Sequence, residues 1–387
     1  MVNPFSSLPA PRPDPLFAIN AEAVKAGASA INGTLGIYMD EDGTPLVFSS
    51  VQKTIEHLQK HLLAFNYSYP PLTGLPKYQQ AVIDLIAEPK DIVASIASTG
   101  GTGALALNLR LLQMLIGEDH HRIILPLPAW ANHIPVCKWA GLDVIDAPYL
   151  STGSASTDGI ISVIRQQSEP FGILLQVGCH NPTGLDFTET QWTEIFDELQ
   201  NKSCVVLLDF AYQGFKGEPE DDRLPIRLCI DRGITTLVTW SASKNHSIYG
   251  LRTGLAAAFV QTEAQKKAVE GTYCTIIRGL HSAAPTFGQA IVALTQQMHP
   301  DEWRSDLREA RSVMKRKRDL LTKNLPEQFQ IALHGYGMFA MLPLTQGQVQ
   351  RLKTEHQVYL PMDGRLNIAG IPEKRIEELA EKILKVL

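Results

Sequence analysis

Lys244 sits in Ser241-Ala242-Ser243-Lys244-Asn245, with Arg252 shortly after it. The run before it, Thr235-Thr236-Leu237-Val238-Thr239-Trp240, is rich in β-branched residues and has the character of a buried strand. A strand end therefore delivers a lysine into a loop of small polar residues. The serines let another molecule approach closely, and Arg252 offers a fixed cation for an anionic group. The chemistry that wants this set is a Schiff base beside a phosphate. Most lysines are merely solvated, so the weight of this reading comes from the rest of the chain.

Thr99-Gly100-Gly101-Thr102-Gly103-Ala104-Leu105 follows a second strand-like run and opens a helix. Glycines expose backbone N–H groups, and a helix start adds its positive dipole end, so Gly101 and Thr102 are candidates to hold an anion. Gly101, Gly103 and Ala106 also fit the dinucleotide fingerprint, which wants an acid about 20 residues on to hold a ribose. The strand Ile123–Leu125 is followed instead by Pro126-Leu127-Pro128-Ala129-Trp130. A single-phosphate site is the better reading, and a plain strand-to-helix turn is the ordinary one. Asp209 ends Val205-Val206-Leu207-Leu208-Asp209, where a carboxylate faces the crevice of an open α/β sheet. Buried there it needs a cationic partner, and a protonated pyridine nitrogen is one; a helix cap or turn acid is the ordinary alternative. Tyr212 and Asn181, the latter in the turn His180-Asn181-Pro182-Thr183-Gly184, can both reach one phenolate-like ring oxygen. Trp130 offers a flat face for stacking. Arg365, in Asp363-Gly364-Arg365-Leu366-Asn367, can grip a carboxylate with two parallel hydrogen bonds, or be an exposed edge charge.

Strands are expected at Ile92–Ala97, Ile123–Leu125, Leu142–Ile145, Ile173–Val177, Val205–Leu208, Thr235–Trp240 and Gly254–Phe259, with helices such as Gly103–Leu115 and Thr188–Gln200 between most of them. This alternation predicts an α/β fold with a mostly parallel sheet sandwiched by helices. The expected division is a large domain over residues 46–300, a smaller α+β domain from residues 14–45 and 301–387, and an extended arm over residues 1–13. In the smaller unit a long helix from Asp301 leads to short strands near Gln330–Leu333, Met338–Leu342 and Arg365–Ala369. Helices are expected at Gln346–His356 and Glu373–Leu387. Lys315-Arg316-Lys317-Arg318 reads as the solvated side of an amphipathic helix.

At 387 residues with 44% hydrophobic and 19% charged, the composition is that of a globular enzyme. A net charge of -5 gives no field for nucleic acid or anionic lipid. No run is long enough to span a membrane. The five cysteines are scattered without a CxxC pair, so neither a disulfide framework nor a metal site is expected. With no signal peptide recognisable, a cytoplasmic enzyme is expected.

The motifs His180-Asn181-Pro182-Thr183-Gly184, Asp209-Phe210-Ala211-Tyr212-Gln213-Gly214-Phe215 and Ser241-Ala242-Ser243-Lys244-Asn245 with Arg252 occur in order. Together they make the chain resemble the pyridoxal phosphate (PLP)-dependent aminotransferases of fold type I, within them the aspartate/aromatic subgroup. The resemblance runs from Pro13-Asp14-Pro15 through Gly364-Arg365-Leu366-Asn367-Ile368-Ala369-Gly370. It implies that Lys244 bonds covalently to PLP and shuttles a proton, and that Asp209 keeps the pyridine nitrogen protonated. It implies that Tyr212 and Asn181 bind the phenolic oxygen, and that Trp130 stacks on the ring. Gly101, Thr102, Ser241 and Arg252 would hold the phosphate. Arg365 would bind the substrate carboxylate with Gly36, Trp130 and Asn181 alongside, and His133 would orient Asp209. Tyr69 and Arg278 would reach the neighbouring subunit's site, Tyr69 toward the cofactor and Arg278 toward the substrate, which implies a homodimer. The implied activity is transfer of an amino group between amino acids and 2-oxo acids. Aspartate, glutamate or aromatic donors are expected, with 2-oxoglutarate as acceptor. A β-lyase or decarboxylase on the same scaffold, or a non-catalytic PLP-binding regulator, is the alternative. The chain departs from the subgroup at Met39, where a lysine is usual, at Ala283, where an asparagine is usual, and at Gln176, where many members carry a histidine.

Overall fold

The computed structural model describes residues 3–7, 14–61, 67–117 and 119–387. The apolar runs become a seven-stranded sheet. Its strands are β1 (Ile92–Thr99), β2 (Arg122–Leu127), β3 (Asp143–Pro148), β4 (Phe171–Gln176), β5 (Cys204–Phe210), β6 (Thr235–Ser241) and β7 (Thr253–Val260). They lie in the order β1-β7-β6-β5-β4-β2-β3. Pairing is parallel from β6 to β3, while β7 runs antiparallel to both β1 and β6. Each of the seven expected strands appears with ends shifted by a few residues; Leu142 falls before its strand and Val177 after its own.

Side chains alternate across a strand, so a sheet buried on both faces needs two separate apolar cores. Ile173, Leu175, Val206, Leu208, Val238 and Ala257 enter one core, with the helix Glu189–Leu199. Leu174, Val205, Leu207, Leu237 and Ala256 enter the other, with the helix Gly100–Ile116. A third core joins Ile31 to Leu321, Val349, Leu366 and Ile383. Around it Ile31–Asn32 pairs with Val358–Tyr359, and β8 (Phe339–Met341) pairs with β9 (Arg365–Asn367). The helix Pro300–Asn324 links these layers. Near its start the Trp303 indole Nε1 donates to the Asn245 carbonyl at 2.6 Å, and the Trp303 ring stacks on buried His246.

Several local expectations are corrected. Gln330–Leu333 is a short helix, not a strand; an apolar run that short carries no decisive period. Strand β9 stops at Asn367 and gives way to a 3-10 turn at Ile368–Gly370. The last helix spans Ile376–Leu384, after a 3-10 turn at Glu373–Arg375. In the N-terminal arm, Pro4–Ser7 is a 3-10 turn rather than extended chain. The expectation for residues 1–2 and 8–13 lies outside the described residues. Pro15 begins a helix, Pro15–Ala26, whose Leu16 and Phe17 N–H groups donate to the Asp14 side chain.

The basic run is only half solvated. Lys315 pairs with Asp319 and Arg316 with Glu373 at the surface, but Lys317 is 0% and Arg318 4% exposed. Residues 317 and 318 share the helix face of Met314 and Leu321, which is buried. Arg318 donates to the carbonyls of Leu333, Tyr336, Gly337 and Phe339. Lys317 Nζ has no hydrogen-bond partner and lies 5.8 Å from the Tyr38 ring centroid. Burial pushes its pKa below the ordinary lysine value. A lysine whose folded pKa lies below its unfolded one costs stability at low pH, and the cost fades as pH rises through the folded value toward the unfolded one. Lys317→Met is expected to stabilise the protein by about 1–3 kcal/mol at neutral pH. The gain in urea unfolding should shrink as pH approaches 10; a destabilised variant at pH 7 would contradict this account.

Candidate active site

The parallel strands deliver their ends to one edge, where open α/β sheets place their ligand crevice. Asp209 lies near the end of β5, with Gln176 as its Cα partner at the end of β4. Ser241 ends β6, and the helix Gly100–Ile116 starts directly after β1. Because β7 is reversed, Arg252, just before it, emerges at this same edge. A cavity of about 190 Å³ opens among these ends. Gly101, Thr102, Trp130, Asp209, Tyr212 and Lys244 line it, together with Gln176, Ser241, Ser243 and Arg252.

The Asp209 carboxylate is buried, with Oδ2 3.0 Å from His133 Nε2. The other ring nitrogen, His133 Nδ1, is buried without a partner. Trp130 meets His133 edge to face at 5.3 Å. The ammonium of Lys244 lies 5.0 Å from the Tyr212 ring centroid, and no carboxylate lies within salt-bridge distance of it among the described residues. Burial lowers its pKa to about 8, with Asp209 opposing the shift and Arg252 adding to it. A pKa lowered toward neutrality raises the uncharged fraction above that of a free lysine, and so makes this amine a better nucleophile. Tyr212 is buried, and its hydroxyl accepts from Asn181 Nδ2 at 3.2 Å. Burial pushes the phenol far above its ordinary pKa, so it remains an O–H donor at neutral pH. The Asn181 Oδ1 acceptor is buried and unpartnered.

The helix start has the character of an anion cradle. Thr99 makes no side-chain cap there, leaving the first N–H groups free of an intrahelical or capping partner. Gly100 has φ +73°, and a Cβ on it would lie 2.5 Å from Arg252 Nη2. A Cβ on Gly101 would come within 3.1 Å of the Ser241 Cβ. The two glycines thus let Arg252 and Ser241 close on the positive end of the helix dipole. Gly103, the next glycine of the dinucleotide pattern, packs on Thr99 instead, and among the described residues Asp209 is the only acid lining the cavity.

Arg365 lies outside this cavity lining but is joined to it through Phe339. Its guanidinium sits 5.2 Å from the Phe339 ring centroid, and that ring meets Tyr212 edge to face at 6.2 Å. Arg365 is buried; Nη2 donates to the Thr34 carbonyl at 3.0 Å, and Nε has no partner. A buried guanidinium with no carboxylate is a site for an anion. Gly36 packs on the same Phe339 ring: a Cβ there would sit 2.7 Å from Phe339 Cζ. Two expected residues stand apart. Tyr69 is 96% exposed, and exposed Arg278 donates to Ser282 Oγ at 2.5 Å on the helix Glu263–Leu280. Neither lines the cavity of its own chain. Sequence reasoning passed over Ser243, which receives a 3.4 Å bond from Arg252 Nη1, and Phe339. Ser243 was readable as a small residue beside Lys244. Phe339, far along the chain, carries no local signal. Among the described residues, no cluster of metal-ligating side chains occurs and no helix is long and apolar enough to cross a membrane.

Comparison with known proteins places this geometry. The model of the family "Aminotransferase class I and II" matches residues 31–383. The chain is 31% identical to a cytoplasmic aspartate aminotransferase of Saccharomyces cerevisiae, over 99% of this chain and 97% of the relative. It is equally similar, 31%, to an aromatic-amino-acid aminotransferase of Paracoccus denitrificans, over 97% of each. A crystal structure of an aromatic-amino-acid aminotransferase from Burkholderia pseudomallei, covalently bound to pyridoxal phosphate, superposes with a TM-score of 0.93 at 27% identity over 100% of both chains. With the family model spanning residues 31–383 and relatives of this identity matching along almost the whole length, the chain belongs to the class I and II aminotransferases.

Proposed function

We propose that the protein is a PLP-dependent aminotransferase exchanging amino groups between amino acids and 2-oxo acids, with Lys244 as covalent anchor and proton carrier. The observation that carries this reading is one cavity holding a partly neutral lysine, a buried carboxylate and a helix-start anion cradle. The donor set fits the cofactor. Gly101, Thr102, Ser241 and Arg252 match a phosphate, Asp209 a pyridinium, Trp130 an aromatic face, and Tyr212 with Asn181 a phenolic oxygen. When bound, PLP supplies an electrophilic carbonyl and a ring that takes up the electron pair released at the substrate α-carbon.

Asp209, hydrogen-bonded by His133, would favour a protonated ring nitrogen because a buried carboxylate is stabilised by a cation placed against it. Lys244 Nζ, once freed by an amino substrate, would take the α-proton and return it elsewhere. Tyr212 would keep its own proton and donate it as a hydrogen bond. Arg365 would fix the substrate carboxylate, beside Gly36 and Asn181, and so orient the α-carbon.

Aspartate, glutamate and aromatic amino acids are the proposed donors and 2-oxoglutarate the acceptor; the relatives named above, aspartate and aromatic aminotransferases, support this range. Tyr69 and Arg278 are proposed to act in the site of a second copy, giving a homodimer with composite sites; their exposure and distance from their own cavity support it. The proposed division remains a large domain at 46–300 and a small one from 14–45 and 301–387. A cytoplasmic location is proposed on the strength of the yeast relative.

Three outcomes test this reading. Purified protein should be yellow, and Lys244→Ala should abolish transamination while PLP still binds through its phosphate; turnover by that variant without added amine would refute the assignment. Asp209→Ala should lower kcat by roughly 10²- to 10³-fold, because the carboxylate matters most as charge develops on the ring. Near-normal rates would make Asp209 structural only. Arg278→Ala should depress kcat/KM for aspartate far more than for phenylalanine or tyrosine, since an arginine that pairs with a carboxylate discriminates by leaving itself unpaired otherwise. Equal losses would show that Arg278 does not read the side chain.

A further inference from the structure

Gln176 is used by neither the anion cradle nor the proton chemistry, yet it is buried and lines the cavity. Its Oε1 accepts from the Asn181 N–H at 3.2 Å, and its Nε2 donates to the Cys179 carbonyl at 3.4 Å. From the other side, Asp186 accepts from the Cys179 and His180 N–H groups at 2.9 and 3.0 Å. Two side chains therefore capture three successive backbone N–H groups, those of residues 179, 180 and 181. The turn they hold needs holding, since Gly178 and Cys179 both have positive φ, at 68° and 52°. The carboxamide both donates and accepts at this position, whereas a carboxylate lacks the donor and a thioether offers at most a weak acceptor. Gln176 is also the Cα partner of Asp209, so the turn is tied to the strand end that carries the carboxylate.

We propose that Gln176 is a positioning residue that fixes Asn181, and through it the hydrogen bond to the Tyr212 hydroxyl and to the ligand oxygen they share. The proposal rests on the PLP-dependent reading above. As an amide, Gln176 does this without adding a charge next to Asp209, whose carboxylate lies in hydrogen-bond distance of His133 Nε2.

A double-mutant cycle on holoenzyme tests it, with Gln176→Met, Asn181→Ala and the double variant. Three quantities are read for each: the pH at which the absorption of the Lys244-linked cofactor changes, the PLP dissociation constant of the apoprotein by fluorescence, and kcat against KM. Loss of a donor to the ring oxygen should move the spectral transition upward. Gln176→Met should therefore shift it in the same direction as Asn181→Ala, by about half a unit or more, and lower kcat about 10-fold. PLP affinity should stay within a few-fold, because the phosphate cradle is intact. The double variant should be no worse than Asn181→Ala alone, since the pair acts as a unit. An unshifted spectral transition in folded Gln176→Met, or fully additive losses in the double variant, would overturn the inference. If Gln176→Met fails to fold, Gln176→Leu supplies the same test: its spectral transition should also move upward as in Asn181→Ala, and an unshifted transition in the folded variant would overturn the inference. Wild-type protein that bound no PLP would instead overturn the proposed function.

Discussion

Strand β7 runs against its neighbours, so the chain that leaves β6 at Ser241 must return to the sheet from the same edge. The short connection between them carries Lys244 and Arg252. That geometry places a primary amine and a guanidinium beside the free end of the Gly100–Ile116 helix, without any long-range loop to hold them. It also demands close backbone approach. A Cβ on Gly254 would lie 2.5 Å from the Gly100 carbonyl carbon, so the reversed strand packs against the helix start only with glycine there. Cavity, cradle and amine all follow from this one reversal.

The charges brought together are largely unsatisfied within the chain. Among the described residues, neither Arg365 nor Lys244 has a carboxylate within salt-bridge distance, and Asn181 Oδ1 and His133 Nδ1 are orphaned. Each buried polar group without a partner costs free energy. Elsewhere the cost is reduced or avoided: the Arg318 Nη atoms donate to four carbonyls, although its Nε is unpartnered, and Asn108 bonds to Val238, Thr239 and Tyr273. Among the described residues, His133, Asn181 and Arg365 carry such orphans around the site, and Tyr78, Asn245, Ser247, Lys317, Arg318 and Asn367 carry others outside the cavity lining.

The sheet was readable because buried strands announce themselves as β-branched runs at regular spacing, and residues near strand ends such as Asp209 and Lys244 stand out against that background. Asn181 and Tyr212 were readable through their motifs, although their mutual contact was not. Legibility failed where local pattern underdetermines geometry. Gln330–Leu333 is too short to show a period. Lys317 and Arg318 look solvated because charge usually is, and only the helix phase set by Met314 and Leu321 reveals otherwise. Phe339 joins Arg365 to Tyr212 across more than a hundred residues, a contact that no window of sequence contains. Tyr69 and Arg278 lie outside the cavity of the chain that carries them.

The bond from Trp303 to the Asn245 carbonyl fixes one end of a 25-residue helix to the residue that follows Lys244. At 1.5 Å per residue, Asn324 lies about 30 Å from that anchor, so a tilt of about 5° would carry the far end roughly 3 Å while the anchored end barely moves. The helix is thus a lever with its fulcrum at the reactive amine. The layer built on its far end, with Arg365 in it, is therefore referenced through one rigid rod to the residue beside the nucleophile.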